Sequence, residues 1–210
     1  MKLIKLPLAF AATLALAACG APKEKPAIEE NSESSTLKQV DVKPIDASDT
    51  IDAGIAIGSK APLDVILATT DGEQRIEDIL KDGPAVLVFT RSVEWCPFCQ
   101  TQLKAINGIV PDIKERGYEV YGISYDSPDA QDRFAMNQML EYQMLSDEGS
   151  KAIDAFDVRD PQYIEGRAVG VPYASVFIIA ADGTVKGKSI SGDYKKRPTN
   201  EQLLMLLDEV

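Results

Sequence analysis

The sequence predicts an α/β fold in which a mixed sheet carries helices on both faces, and three observations lead there. The run Ala85-Val86-Leu87-Val88-Phe89 is apolar without interruption, as a strand buried on both sides must be. Two more strand-like runs, Tyr118 to Ser124 and Ala174 to Ile179, alternate with segments that read as helices, which implies parallel pairs joined by right-handed crossovers. The turn dipeptide Asp182-Gly183 then sends the chain from Ala174–Ile179 into Thr184–Lys188 as an antiparallel hairpin.

Taken in order, Leu63 to Leu67 alternates weakly and runs to a turn at Asp71-Gly72, and Ile76 to Leu80 offers a short helix stopped by Asp82-Gly83-Pro84. The helix that opens at Pro97 reaches about Arg116, with a break expected at Gly108 and Pro111. Ser127-Pro128-Asp129 supplies a cap, a first-turn proline and an acid for a helix to about Glu141. Met136, Met139 and Leu140 recur in it at helical spacing, which predicts a core face. A short strand over 142–145 and a short helix over 148–156 follow. Thr199-Asn200-Glu201-Gln202 has the capping-box pattern and opens a last helix, whose Leu203, Leu204, Leu206 and Leu207 can cover one sheet face.

Chemistry concentrates in Glu94-Trp95-Cys96-Pro97-Phe98-Cys99, between the buried strand and the helix that starts at Pro97. A thiol at a helix N-terminus faces unpaired N–H groups and the positive end of the macrodipole, so Cys96 is expected as a thiolate nucleophile. Cys99, one turn on, lies within reach to resolve a bond formed on Cys96. Pro97 suits the first helical position. Zinc would need about four N or S ligands, and the chain has no His and no third Cys near the pair, so no metal and no cofactor is expected. A purely structural disulfide would close too short a loop to add much stability. Glu94 is the nearest candidate for proton transfer, Trp95 is expected to shield the sulfurs, and Phe98 to present a docking contact.

Before this domain stand two segments of different character. Met1 to Ala18 has Lys2 and Lys5 ahead of an apolar stretch too short to span a bilayer, the pattern of a signal peptide. Leu16-Ala17-Ala18-Cys19-Gly20 resembles the bacterial lipoprotein box, which implies cleavage before Cys19 and a lipid on that residue. Three cysteines then reduce to one working pair. Loss of two lysines takes the formal charge from −11 to −13, a balance that argues against nucleic acid and against electrostatic attachment to anionic lipid. The expected location is the cell envelope of a bacterium, lipid-anchored and facing the periplasm or exterior, where disulfides persist. Residues 19–52 are rich in Pro, Glu, Lys, Ser and Asp and read as a flexible acidic tether with a reach on the order of 30 Å; part of Leu37 to Ile45 could pack on the domain as an arm. Residues 53–210 suit one domain.

The order strand, CxxC, long helix, strand, helix, proline-led hairpin and closing helix resembles the thioredoxin superfamily. Within it, Gly58-Ser59-Lys60-Ala61-Pro62, the stretch from Gly83 to Phe89, Trp95-Cys96-Pro97, Ser124-Tyr125-Asp126-Ser127-Pro128 and Leu145-Ser146-Asp147-Glu148 are similar to the alkyl hydroperoxide reductase and thiol-specific antioxidant (redoxin) branch. The resemblance implies a thioredoxin-like fold and antioxidant or disulfide chemistry. It also implies that Pro172 is the superfamily's cis proline, beside the CxxC, with Val171 offering free backbone groups to a bound chain and Tyr173 part of the docking surface.

The chain departs from the peroxidase members at three positions. Their Pro-x-x-x-Thr-x-x-Cys pattern meets Phe89 and Val93 here, and their late arginine meets Ala174, so the groups that would position and polarise a peroxide are replaced; Arg91 or Arg159 could substitute in space. The buried acid of thioredoxins is missing as well, since Val88, Phe89 and Thr90 occupy its stretch. The expected function is therefore a membrane-tethered thiol–disulfide oxidoreductase that acts through Cys96 and Cys99 on protein or small-molecule disulfides, with an external electron donor. The alternatives are a peroxiredoxin-like thiol peroxidase acting on hydroperoxides through the same cysteines, and a non-catalytic binding module on the same scaffold.

Overall fold

The computed structural model describes residues 50–210; the signal peptide, Cys19, the possible arm and all but the last residues of the tether lie outside the described residues. A seven-stranded mixed sheet forms the centre, built from β1 (Ile66–Thr69), β2 (Gly72–Arg75), β3 (Ala85–Phe89), β4 (Glu119–Ser124), β5 (Gln143–Ser146), β6 (Ala174–Ile179) and β7 (Val185–Ser191). Their order across the sheet is β2-β1-β5-β4-β3-β6-β7. The three inner strands β3, β4 and β5 run parallel, while the β1–β2 and β6–β7 hairpins flank them antiparallel. Helices α1 (Ile76–Ile79), α2 (Pro97–Asn107), α3 (Val110–Glu115), α4 (Pro128–Gln138), α5 (Lys151–Ala155) and α6 (Asn200–Asp208) pack on both faces. This is the expected α/β arrangement with a thioredoxin-like sheet.

Strand periodicity explains the two cores. Ala85, Leu87 and Phe89 of β3 point to one face, where they meet Ile76 and Ile79 of α1, Ala152 and Ile153 of α5, and a ring cluster of Phe89, Phe156 and Phe177. Val86 and Val88 point to the other, against Leu103 and Ile106 of α2, Val110 and Ile113 of α3, and Leu203 and Leu207 of α6. Each large apolar side chain buried this way contributes about 1.5–3 kcal/mol, so β3 is clamped from both sides. Its C-terminal end is where the cysteine motif emerges.

Several local expectations hold for the stated reasons. The break at Gly108 and Pro111 separates α2 from α3, with Gly108 as the C-cap of α2. Ser127 caps α4, and Thr199 with Gln202 forms a complete capping box on α6. Thr50 bridges Ser191, and the Ile51 N–H donates to the Ile190 carbonyl, so the chain already lies on the sheet edge at the first described residue.

Three expectations need correction. The first strand lies at 66–69 rather than 63–67, because the carbonyls of Leu63 and Val65 accept from Glu77 and Ile76 at the start of α1 instead of joining a ladder. The helix expected over 148–156 shortens to α5, since both Asp147 carboxylate oxygens accept from its first turn, at Ala152 and Ile153, and the intervening residues form the turn. Met136 and Met139 are not core: they stand 70% and 80% exposed. Ala130 and Gln131 are the buried residues of α4, Phe134 packs on the apolar cluster, and Met139 adopts a left-handed C-cap that turns Leu140 back onto that cluster.

Candidate active site

The site is assembled where β3 ends. Cys96 is the N-cap of α2, with extended backbone, and its Sγ accepts from the Cys99 N–H at 3.4 Å; Pro97 holds the first helical position. Cys96 and Cys99 are joined in a disulfide, with Cα atoms 5.2 Å apart. The two sulfurs thus face each other across the first turn, as the spacing requires. Cys96 is only 2% exposed and Cys99 is fully buried.

The loop that delivers Cys96 is fastened from β4. The buried Asp126, just past the end of that strand, accepts from the Val93 N–H at 2.6 Å, from the Ser92 hydroxyl at 2.7 Å and from the Ser124 hydroxyl at 2.7 Å. Ser92 Oγ in turn accepts from the Glu94 and Trp95 N–H groups. Gln100 closes the far side by donating to the Val93 carbonyl at 2.7 Å. Every backbone donor from Val93 to Trp95 is therefore paired, which fixes the approach of the chain to the helix.

A cavity of about 320 Å³ opens onto this turn, lined by Arg91, Trp95, Cys96, Pro97, Phe98, Arg167, Ala168 and Tyr194. Arg91 is buried on its wall, its guanidinium carbon 4.0 Å from the Tyr194 ring centroid, 4.5 Å from Tyr163 and 5.1 Å from Trp95. Its Nε has no hydrogen-bond partner. Arg167 lies 4.9 Å from the Trp95 ring, and Trp95 donates through Nε1 to the Tyr125 hydroxyl, which donates to the Arg167 carbonyl. Phe98 packs edge-on against Tyr194 at 5.7 Å. The lining is cationic and aromatic, with no carboxylate.

Behind the disulfide sits Arg197, fully buried, from the segment between β7 and α6. It donates from Nε to the Tyr194 carbonyl at 2.7 Å, from Nη1 to Gln102 Oε1 at 2.5 Å and from Nη2 to Cys99 Sγ at 3.2 Å. Burial, and after it the charge of Arg91, pulls this guanidinium down to about 9, against the opposing effect of Asp193; at neutral pH it remains a cation.

Of the residues singled out from sequence, Cys96, Cys99, Trp95, Pro97 and Phe98 converge here. Glu94 is exposed and off the cavity wall. Val171, Pro172 and Tyr173 do not line the cavity either. Val171 is fully buried, its N–H donates to the Ala168 carbonyl and its carbonyl accepts from Asp160, so the backbone expected to receive a substrate strand is already used within the chain. Val93 belongs to an apolar cluster and Ala174 is buried at the start of β6. Arg159 is paired with Asp154, so of the two arginines proposed as substitutes only Arg91 reaches the cavity, where Arg167 joins it. Asp126, Arg167, Tyr194 and Arg197 were not identified from sequence. The position of Asp126 at the C-terminal end of a parallel strand was a usable signal; Arg197, nearly a hundred positions from Cys99, left none.

Comparison with known proteins bears on the family and the fold. A family model described as the AhpC/TSA family matches residues 57–188. The chain is 29% identical over 144 residues to peroxiredoxin Bcp of Escherichia coli (strain K12), covering 68% of this chain and 90% of that protein. It is 25% identical over 148 residues to the 1-Cys peroxiredoxin PER1 of Zea mays, covering 63% and 64%. Among solved structures it resembles the peroxidoxin BcpB of Mycobacterium tuberculosis, with TM-score 0.63 at 23% identity over 74% of this chain and 98% of that one. It also resembles a peroxiredoxin-like protein from Aquifex aeolicus, with TM-score 0.64 at 24% identity over 76% and 90%. At these identities the two structures bear on the fold.

Proposed function

The chain belongs to the AhpC/TSA family, and from that premise we propose that it is a thiol-dependent peroxidase in which Cys96 reduces a small hydroperoxide and Cys99 closes the disulfide. The observation that carries this reading over exchange with protein disulfides is access. Cys96 is 2% exposed and Cys99 not at all, and Cys96 opens onto a cavity of about 320 Å³. That space suits a small oxidant far better than a folded partner's disulfide.

In the reaction the Cys96 thiolate attacks one peroxide oxygen, a sulfur–oxygen bond forms, the O–O bond breaks, and the alkoxide leaves with a proton as alcohol. Cys99 then attacks Cys96 Sγ, the sulfur–sulfur bond forms, and the oxygen departs as water. An external dithiol returns the pair to the reduced state. With valine and alanine at the family's threonine and arginine positions, Arg91, the buried one of the two cations on the cavity wall, can stabilise charge developing on the departing oxygen. Lipid on Cys19 would hold the enzyme in the cell envelope, a reading that rests on the signal-like Met1–Ala18 stretch and the Leu16–Gly20 pattern that closes it.

Thiol–disulfide exchange is the second reading, favoured by the absence of a hydroxyl at Val93 and by the CxxC itself. Trapping separates the two. Reduced Cys99→Ser protein treated with one equivalent of hydroperoxide is expected to form a sulfenic acid that dimedone captures on Cys96, whereas the wild type forms the disulfide instead. Failure of dimedone to label Cys96 in that variant overturns the peroxidase reading.

A further inference from the structure

Arg197 is a buried cation whose partners are all formally neutral. Its guanidinium meets a backbone carbonyl, an amide oxygen and the sulfur of Cys99, and among the described residues no carboxylate forms an ion pair with it. Burying a charge in this way costs several kcal/mol unless an anion compensates it, and a disulfide sulfur is a poor acceptor. Reduction of the pair can supply that anion, because the atom 3.2 Å from Nη2 is then free to ionise to a thiolate.

We propose that Arg197 is the built-in counter-ion of the Cys99 thiolate, holding the second cysteine ionised in the dithiol state and receiving its charge whenever the disulfide is opened. The inference rests on the pair being cycled, and not on which oxidant cycles it.

The electron accounting follows. During reduction a thiolate of an external dithiol enters the cavity and attacks Cys96 Sγ. The reductant–Cys96 bond forms, the Cys96–Cys99 bond breaks, and the electron pair leaves on Cys99 beside the guanidinium. The reductant's second thiolate closes its own disulfide, and Cys96 leaves as a thiolate that takes one proton in the resting dithiol and returns it to solvent when it attacks an oxidant. The reductant has given two electrons and two protons, of which one rests on Cys96 and the other goes to solvent. Because a more stable thiolate is a better leaving group, Arg197 speeds the opening step. In the oxidising direction the charged Cys99 attacks an oxidised Cys96 without a general base, the role for which Glu94 was the nearest candidate. The charged and titratable groups around this pair are Cys96 on the same turn, Arg91 from the end of β3, and Asp193 and Tyr194 from the segment carrying Arg197. Among the described residues, Asp193 is the acid whose charge favours the Arg197 cation.

The test equilibrates the full chain with mixtures of reduced and oxidised dithiothreitol across the range where dithiothreitol stays protonated. The oxidised fraction is read by alkylation and mass spectrometry of the peptide that carries Cys96 and Cys99. One proton released per reduction makes the wild-type equilibrium constant rise about tenfold per pH unit. Arg197→Met should lower that constant by at least about tenfold, roughly 30 mV, and flatten its pH dependence, while Arg197→Lys keeps the slope. A wild-type constant and slope in Arg197→Met overturn the proposal. Should that variant fail to fold, the thiolate absorbance of reduced Cys96→Ser is measured against the Cys96→Ser/Cys99→Ser double variant: a signal at neutral pH supports the counter-ion and its absence overturns it. A wild-type pair that dithiothreitol cannot reduce at all would instead overturn the cycling on which the proposed function depends.

Discussion

Asp126 accepts the Val93 N–H at 2.6 Å and so ties the end of β4 to the loop that carries Cys96 into its helix. The same carboxylate holds the Ser92 and Ser124 hydroxyls, which makes it the single anchor of three buried donors. Asp126→Ala leaves the Val93 N–H without its acceptor while the two hydroxyls are free to turn, and at about 1–3 kcal/mol for an unsatisfied buried group a loss of about 1–3 kcal/mol is expected in denaturant unfolding. Hydroperoxide turnover should fall with it, because the loop no longer fixes the sulfur.

Arg91 is held by rings instead of by a carboxylate, so removing its charge leaves no buried anion behind. Arg91→Met should therefore fold like the wild type and lose activity. Loss of one preorganised donor typically costs a hundredfold or more, and kcat/KM for hydroperoxide is expected to drop by at least about tenfold with a melting temperature close to wild type. An unchanged kcat/KM would show that the cation plays no part in the chemistry.

The outward turn of Met139 gives a stability prediction away from the site. Its φ of 50° and ψ of 50° place a non-glycine residue in the left-handed region at the end of α4, with the side chain 80% exposed. Met139→Gly removes that strain without emptying a core, and a gain of about 0.5–1 kcal/mol in unfolding free energy is expected.

Burial raises the Asp147 carboxyl above its ordinary 3.8, outweighing the backbone N–H groups that hold it. The folded state therefore binds this proton more tightly than the unfolded chain. The resulting contribution is fully present below about the unfolded value and is lost as pH rises through the higher folded one. Asp147→Asn abolishes this titration, so the stability of the wild type relative to the variant should decline with rising pH across that interval and then level off. Paired denaturant melts over the acid range check the sign.

Much of this architecture was legible because local chemistry and tertiary demand agree. The apolar β3, the proline behind Cys96, the Ser127 cap and the Thr199–Gln202 box each serve the same structure locally and globally. What was not legible depended on distance or on a choice between equivalent faces. Met136 and Leu140 share one helical spacing, and only the left-handed turn at Met139 decides which of them meets the sheet. Val171 looked available as a strand edge, yet Ala168 and Asp160 occupy its backbone groups. Arg197 meets Cys99 only once β7 and α6 are packed, which no window of sequence encodes.

Trp95 is the one tryptophan of the chain and lies on the wall of the cavity that opens onto Cys96, so its fluorescence reports directly on the proposed reaction. Stopped-flow mixing of reduced protein with one equivalent of hydroperoxide should give a fluorescence change matching loss of the Cys96 and Cys99 thiols, orders of magnitude faster than a free thiol of similar acidity and absent in Cys96→Ser. A rate no faster than that free thiol would contradict the peroxidase assignment.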